Sequence, residues 1–222
     1  MPENATLLPE LAIAAQRGVR YIAGIDEVGR GALAGPVSIG VVVLDLTHPT
    51  FADTPRSTGV CAQLDGVRDS KLLTAAARKR WHPTICDHVA AYSVQHRHPR
   101  EIDTLGINGA LRAAGLAGLN AVEVQLGVAL DAVILDGAHD WLTHGASPRV
   151  QTMIKADIKA LSVACASVLA KVERDRLMER LAAEHPGYGW DSNRGYGSQG
   201  HRTALTELGV TPQHRLSWNL GV

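Results

Sequence analysis

Long apolar runs are missing from this 222-residue sequence, and none approaches the roughly 20 residues a membrane-spanning helix needs. The opening stretch, MPENATLLPE, carries acidic residues and no basic segment leading into an apolar core, so no signal peptide is expected there. Cysteine is scarce. Cys61, Cys86 and Cys165 are scattered and show no CxxC spacing, which predicts reduced, mostly structural thiols and favours a cytoplasmic protein. Aromatics make up only 4%, so the core must come from Val, Leu, Ile and Ala. No charge of either sign is in excess, since 22 Lys and Arg balance 22 Asp and Glu. A nucleic-acid partner would therefore have to be met by a local basic surface rather than by global attraction. What is present is a 45% hydrophobic chain, long enough to bury a full core and sized for a single domain over 1–222.

Tyr21 to Leu44, YIAGIDEVGRGALAGPVSIGVVVL, organises that domain. Tyr21, Ile22 and Ile25 suit a buried strand, and Val37 to Leu44 reads as a second, more continuous one. Between them stand the acidic pair Asp26 and Glu27, then Gly29, Arg30 and Gly31. Carboxylate oxygens suit hard divalent cations. Glycines flanking an arginine allow close approach of backbone to a ligand, so that amide N–H groups donate beside the guanidinium. Because neighbouring strand residues point to opposite faces, Asp26 and Glu27 serve one ion from a regular strand only if the strand bends or if the two act differently.

Along the rest of the chain, Leu7 to Gln16 predicts a short helix ending near Gly18, and residues 45–65 predict a loop. Asp69, Ser70 and Lys71 precede a helix capped by Thr74; the triplet suits capping and solvation, or a Ser/Lys contact to phosphate. Val89 to Val94 reads as a third strand. Residues 101–122 read as a helix with Ile107, Leu111 and Ala114 on one face and Asn108 beside them, its internal glycines weakening it or marking close packing. Ala132 to Leu135 is a short apolar strand ending in Asp136, and Val150 to Ile154 a fifth strand with Asp157 just beyond it. A helix from Ile158 to Glu184 follows, with Leu161, Ala164, Val168 and Val172 on its apolar face and Lys171 and Arg174 on a polar one. In 185–202, HPGYGWDSNRGYGSQGHR, Tyr196 is a candidate for stacking on a sugar or base, while Tyr188 and Trp190 suit core packing better.

Three strand ends thus each deliver carboxylate. Should strands one, four and five be parallel neighbours, Asp26, Glu27, Asp136 and Asp157 crowd together and repel unless cations neutralise them. Two divalent metals about 3.5–4 Å apart in such a cluster activate water and stabilise the leaving oxygen in phosphodiester cleavage.

Taken together, GIDEVGRGALAGPV (24–37), DSKLLT (69–74), EID…IN (101–108), ILDG (134–137), KAD…ACASVLAKVERD (155–175), RGYGSQGH (194–201) and HRLSW (214–218) resemble ribonuclease HII, the bacterial type 2 ribonuclease H. The resemblance implies an α/β fold: a ribonuclease H-like core (about 20–184) with a mixed five-stranded sheet flanked by helices, and a helical, substrate-contacting C-terminal part (about 185–222). It implies an endoribonuclease that uses Mg²⁺ or Mn²⁺. Such an enzyme cleaves the RNA strand of RNA–DNA hybrids, and cleaves 5′ of single ribonucleotides in duplex DNA to leave 3′-OH and 5′-phosphate ends. Asp26, Glu27, Asp136 and Asp157 match the family's catalytic, metal-holding acids. Gly29, Arg30 and Gly31 match the segment that recognises the ribose 2′-OH, the group that distinguishes RNA from DNA. Tyr196 matches the tyrosine that stacks on the sugar beside the cut, and Ser70, Lys71, Lys171 and Arg174 fall in motifs that suit contacts to the substrate backbone. Ribonuclease HIII, the sister enzyme, normally adds an N-terminal substrate-binding domain for which the 20 residues before Tyr21 leave no room. Another nuclease or strand-transfer enzyme of the same fold, and a non-catalytic binding module, are further alternatives. A monomer is expected, and the terminal SWNLGV shows no clamp-binding motif.

Overall fold

The computed structural model describes residues 4–145, 147 and 149–222. The chain runs α1 (Leu8–Arg17), β1 (Tyr21–Val28), β2 (Val37–Asp45), the one-turn α2 (Pro49–Ala52), α3 (Ala75–His88), β3 (Ala91–Arg97) and α4 (Pro99–Leu126). It continues through β4 (Ala132–Asp136), β5 (Val150–Met153), α5 (Leu161–Glu184), the one-turn α6 (Trp190–Asn193) and α7 (Gln199–Leu208). The strands hydrogen-bond in the order β3-β2-β1-β4-β5. β2 is antiparallel to both β1 and β3, whereas β4 runs parallel to β1 and β5 parallel to β4. This is the mixed five-stranded sheet flanked by helices that the resemblance implied. Because β1, β4 and β5 are parallel neighbours, their carboxyl ends open on the same edge of the sheet.

Side chains alternate between the two faces of the sheet, and each face meets its own helices. Ile22, Val42, Leu44 and Ile134 pack with Val163, Ala164 and Val168 of α5. Ala23, Ile25, Val41, Val43, Val133 and Leu135 pack with Ala110, Leu111, Ala114 and Val122 of α4. Each Val, Leu or Ile among them, fully buried, stabilises by roughly 1.5–3 kcal/mol. α5 approaches closely because the strands offer it glycines. A Cβ at Gly24 would sit 2.3 Å from the Ser162 carbonyl carbon, and one at Gly40 2.4 Å from the Ala166 carbonyl oxygen. Ser162 and Ala166 are one helical turn apart, so a single turn of α5 settles over β1 and β2.

Several element boundaries differ from the sequence reading for local reasons. β1 continues to Val28 because β2 pairs with it as far as Val28↔Ser38, which places Asp26 and Glu27 inside the strand. β3 begins at Ala91, since Val89 instead closes the last turn of α3. α4 is longer than expected but broken at Gly106, whose φ of 69° is not helical. α5 starts at Leu161 after a 3₁₀ turn, Ala156–Ile158, entered through left-handed Lys155. Residues 45–65 are more than a loop: α2 and a 3₁₀ turn carry Phe51, Cys61 and Leu64 into the core. The C-terminal segment buries Tyr188, Trp190, Ala204, Leu205 and Leu220 against Leu33, Ala34 and Met178. It is thereby fixed against the β1–β2 connection and the far end of α5.

Candidate active site

β1 delivers two carboxylates to opposite faces of one strand. Asp26 follows Ile22 and Gly24 on the α5 side and is buried, whereas Glu27 follows Ala23 and Ile25 on the α4 side and is half-exposed. The strand does not bend to bring them onto one face, so the two approach the site from different sides. β4 ends in Asp136, whose Oδ1 accepts the Ala156 N–H at 2.7 Å. That bond ties the tip of β4 to the 3₁₀ turn carrying Asp157. Among Asp26, Glu27, Asp136 and Asp157, Asp136 is the member whose charge bears on each of the other three. Burial pushes Asp26 well above the ordinary carboxylate range; the Ser167 hydroxyl opposes this, and Glu27 and Asp136 add to it. Glu27 is raised by burial, with Arg30 opposing and Asp136 adding. Asp157 is raised by burial, then by Asp136 and Asp69.

A lysine stands among these acids. Lys71 Nζ lies 3.7 Å from Asp157 and 3.9 Å from Asp69. Burial works against its charge, yet Asp69, Asp26, Asp157 and Asp136 together raise its pKa. Ser70 is buried behind it, its hydroxyl accepting from Ser167 Oγ at 2.9 Å. Arg78 steadies the segment from α3, donating to the Ser70 and Leu73 carbonyls at 2.8 and 2.6 Å.

An open pocket of about 450 Å³ is lined by Asp26, Glu27, Val28, Gly29, Arg30, Gly31, Ser70, Lys71, Lys171 and Tyr196, so residues from four separate stretches face one cavity. A second, of about 300 Å³, lies beyond Glu27 and Arg30 and is reached by Asp136, Asn108 and His139. Arg30 forms the ridge between them, its guanidinium 3.5 Å from Glu27 Oε1 and 3.1 Å from Asn108 Oδ1. Gly29 holds a φ of 82°, and a Cβ there would lie 2.1 Å from Arg174 Nε, so no other residue fits. Lys171 faces the cavity paired with Asp175 at 2.5 Å; burial lowers its pKa while that pairing opposes. Tyr196 is exposed on the opposite wall, its ring 5.7 Å from the Arg174 guanidinium.

Arg174 is not where the helical periodicity put it. It is fully buried, with its guanidinium donating to the carbonyls of Pro36 at 2.9 Å, Arg194 at 2.9 Å and Ala34 at 3.3 Å. Those bonds use its donors inside the protein, so it braces the loop and Tyr196 and does not reach a substrate backbone. Its place on the polar face of α5 gave no sign of this burial, because the β1–β2 connection and the C-terminal segment together cover that side, which helical spacing does not register. Sequence reasoning also gave no part in the site to Arg215, Ser167 and His201, and read Asp69 only as a cap, which it is, accepting the Lys71 N–H at 2.9 Å. Arg215 lies within the HRLSW motif, but only the folded chain shows its target. His201 and His214 join Tyr188 and Trp190 in a buried cluster in which the Trp190 indole N–H donates to His201 Nε2 at 3.1 Å. His201 Nδ1 then meets the Tyr196 carbonyl at 2.9 Å and anchors that residue.

The donor set suits a hard divalent cation: the carboxylates of Asp26, Glu27 and Asp157, pushed toward protonation first by burial and then by neighbouring acids, gain from a cation that neutralises them. Lys71 already supplies one positive charge there. Among the described residues, no three His, Cys, Asp or Glu side chains are drawn close enough to enclose an ion as they stand. Cations arriving at this edge would complete the cluster rather than enter a finished cage.

A sequence model of the family described as Ribonuclease HII matches residues 23–220. Ribonuclease HII of Streptomyces coelicolor is 43% identical over 216 residues, spanning 97% of this chain and 84% of that protein. Ribonuclease HII of Ruegeria pomeroyi is 44% identical over 209 residues, spanning 94% of this chain and 80% of that one. Among solved structures, ribonuclease H2 from Pyrococcus horikoshii OT3 superposes with a TM-score of 0.69 at 27% identity, covering 90% of this chain and 94% of that chain.

Proposed function

The chain belongs to the ribonuclease HII family of endoribonucleases, and from that premise we propose that it cleaves RNA–DNA hybrids, and duplex DNA on the 5′ side of an embedded ribonucleotide. The products are 3′-OH and 5′-phosphate ends. One observation carries the reading: the ends of three parallel strands and a glycine-flanked arginine loop share one open edge, with Tyr196 lining the same cavity as Asp26, Glu27 and Arg30. Asp26, Glu27, Asp136 and Asp157 would hold two divalent cations, Mg²⁺ or Mn²⁺. When bound, that pair supplies an activated water and charge stabilisation for the departing 3′ oxygen.

The chain's own residues do the rest. Asp26 and Glu27 face the reaction cavity from the two faces of β1, where they would hold cations against the scissile phosphate. Asp136 fixes the turn of Asp157 through the Ala156 amide, so the two acids move as a unit. Lys71 and Lys171 meet the substrate phosphates. Ser70 positions Lys71, since it begins the 3₁₀ turn carrying that lysine and is pinned to Ser167 of α5. Gly29, Arg30 and Gly31 bring backbone amides to the ribose 2′-OH, and Tyr196 stacks on the neighbouring sugar. This local basic rim answers the zero net charge, because attraction is needed only where the strand lies. All proposed site residues come from a single chain of one catalytic domain, so catalysis needs no second copy. A cytoplasmic setting suits three free cysteines, and no helix among the described residues is long and apolar enough to cross a membrane.

The test is an end-labelled DNA duplex bearing one ribonucleotide, incubated with and without Mg²⁺ beside all-DNA and all-hybrid duplexes. Metal-dependent cutting 5′ of the ribonucleotide, with the all-DNA duplex intact, is the expected outcome. Cutting of all-DNA at a comparable rate, or none with any divalent metal, would overturn the proposal.

A further inference from the structure

Residues 29–32 form a turn in which the Ala32 N–H donates to the Gly29 carbonyl at 3.2 Å, leaving Arg30 and Gly31 at its corner. The carbonyls of that turn point into the protein. Arg215, fully buried and about 185 residues later in the chain, donates through NH2 to the Gly29 oxygen at 2.6 Å and through NH1 to the Arg30 oxygen at 2.8 Å. The same side chain also holds the Gly35 carbonyl from Nε at 3.2 Å and from NH2 at 3.1 Å. Among the described residues it forms no ion pair with a carboxylate, so its donors are spent on this loop.

A trans peptide unit is planar, with its carbonyl and its N–H on opposite sides. Drawing the Gly29 carbonyl inward therefore turns the Arg30 N–H outward, and drawing the Arg30 carbonyl inward does the same for the Gly31 N–H. Neither amide finds an acceptor among the described residues, and both residues line the 450 Å³ cavity beside Asp26 and Glu27. An unpaired donor pair at the rim of a reaction cavity is a recognition element for a hydroxyl or an anion.

We propose that Arg215 is the positioning residue for sugar recognition: its forked grip on the Gly29 and Arg30 carbonyls aims the Arg30 and Gly31 amides together at the ribose 2′-OH. Arginine is required because only a planar fork reaches two adjacent carbonyls from one buried point. The C-terminal segment thus sets specificity from beneath the loop without touching substrate. Its placement is fixed by further backbone bonds, Arg215 N–H to the Leu33 carbonyl at 2.9 Å and Gly35 N–H to the Gln213 carbonyl at 2.8 Å.

The proposal rests on the 2′-OH reading of residues 29–31, and the two are separated by one binding experiment. Dissociation constants are measured in Ca²⁺ for a DNA duplex with a single ribonucleotide and for the same duplex with the matching deoxynucleotide. The wild type is expected to prefer the ribonucleotide by about tenfold or more, the worth of the hydrogen bonding that the amides lose when the 2′-OH is absent. Equal wild-type affinities would defeat the 2′-OH reading itself. With wild-type preference present, Arg215→Gln should bind the all-DNA duplex as before and lose the preference, and Arg215→Lys should recover part of it. A folded Arg215→Gln or Arg215→Lys protein that keeps the full preference overturns the proposal, whatever its turnover. A readout that needs no variant is the amide NMR spectrum of the wild type. The Arg30 and Gly31 signals should shift with the ribonucleotide duplex and not with the all-DNA one, and unmoved signals would overturn the proposal.

Discussion

Replacing Glu10 with Gln tests how a distant carboxylate supports the helix behind the active site. α5 begins after Ala160, which contributes no side-chain cap. Glu10 of α1 performs that role, its Oε1 accepting the Ser162 N–H at 2.8 Å and the Ser162 hydroxyl at 2.7 Å. The other oxygen, Oε2, is buried without a partner. Burial outweighs the bonds from Ser162 and pushes the carboxyl from 4.5 up to about 7. Between those values the folded protein binds the proton more tightly than the unfolded chain does. Stability therefore falls as pH rises from about 4.5 to about 7, and levels off above. A shift of that size corresponds to about 3 kcal/mol at roughly 1.4 kcal/mol per unit. Gln keeps an oxygen for Ser162 and cannot ionise, but its amide nitrogen replaces the unpaired oxygen at a cost of about 1–3 kcal/mol that does not vary with pH. The informative quantity is therefore the difference in unfolding free energy between wild type and Glu10→Gln, from urea titrations at pH 5, 6, 7 and 8. Other titrating groups cancel in that difference. It should move by 2–3 kcal/mol in favour of the variant across the series, given the ~3 kcal/mol full span. A flat difference, or one moving toward the wild type, would show that the helix terminus keeps Glu10 ionised at ordinary carboxylate pH.

Asp136→Asn retains an oxygen for the Ala156 amide, so folding and hybrid binding should persist while metal-dependent cleavage drops by about 10²–10³-fold or more; near-normal turnover in Mg²⁺ would remove Asp136 from the catalytic set. Arg30→Ala frees Glu27 and Asn108 and should cut the preference for a ribonucleotide over a deoxynucleotide by about tenfold, read from paired cleavage rates, with an unchanged ratio counting against the 29–31 assignment. Gly24→Ala puts a methyl 2.3 Å from the α5 backbone, forcing the helix off β1, and should cost about 1–3 kcal/mol in chemical denaturation together with a loss of activity, whereas an unperturbed midpoint would contradict the close packing.

Short-range patterns carried much of the fold. Apolar runs marked β1, β2 and β4, Thr74 marked the start of α3 by accepting the Ala77 N–H at 3.2 Å, and left-handed Gly18 marked the end of α1. Each depends on backbone geometry within a few residues. The boundaries that moved depend on partners elsewhere: β1 runs on to Val28 because β2 pairs with it, and residues 45–65 gain structure because Phe51 and Leu64 find the core. Arg174 shows the same limit at the site. Periodicity put it on a polar face, but the segment that covers it arrives from beyond residue 190.

The sequence by itself determined which side chains are available for chemistry: acids at the ends of apolar strands, an arginine between glycines, and motifs dense enough to indicate a family. Tertiary structure alone decided which of them meet. That β1, β4 and β5 lie side by side, that Lys71 stands among the acids, and that Arg215 grips the peptide units of residues 29–31 are consequences of burying the two faces of one sheet under helices. The physical reason is range. Helix caps, turns and alternation are set by neighbours a few bonds away, whereas burial and electrostatic crowding depend on what the rest of the chain brings to the same place.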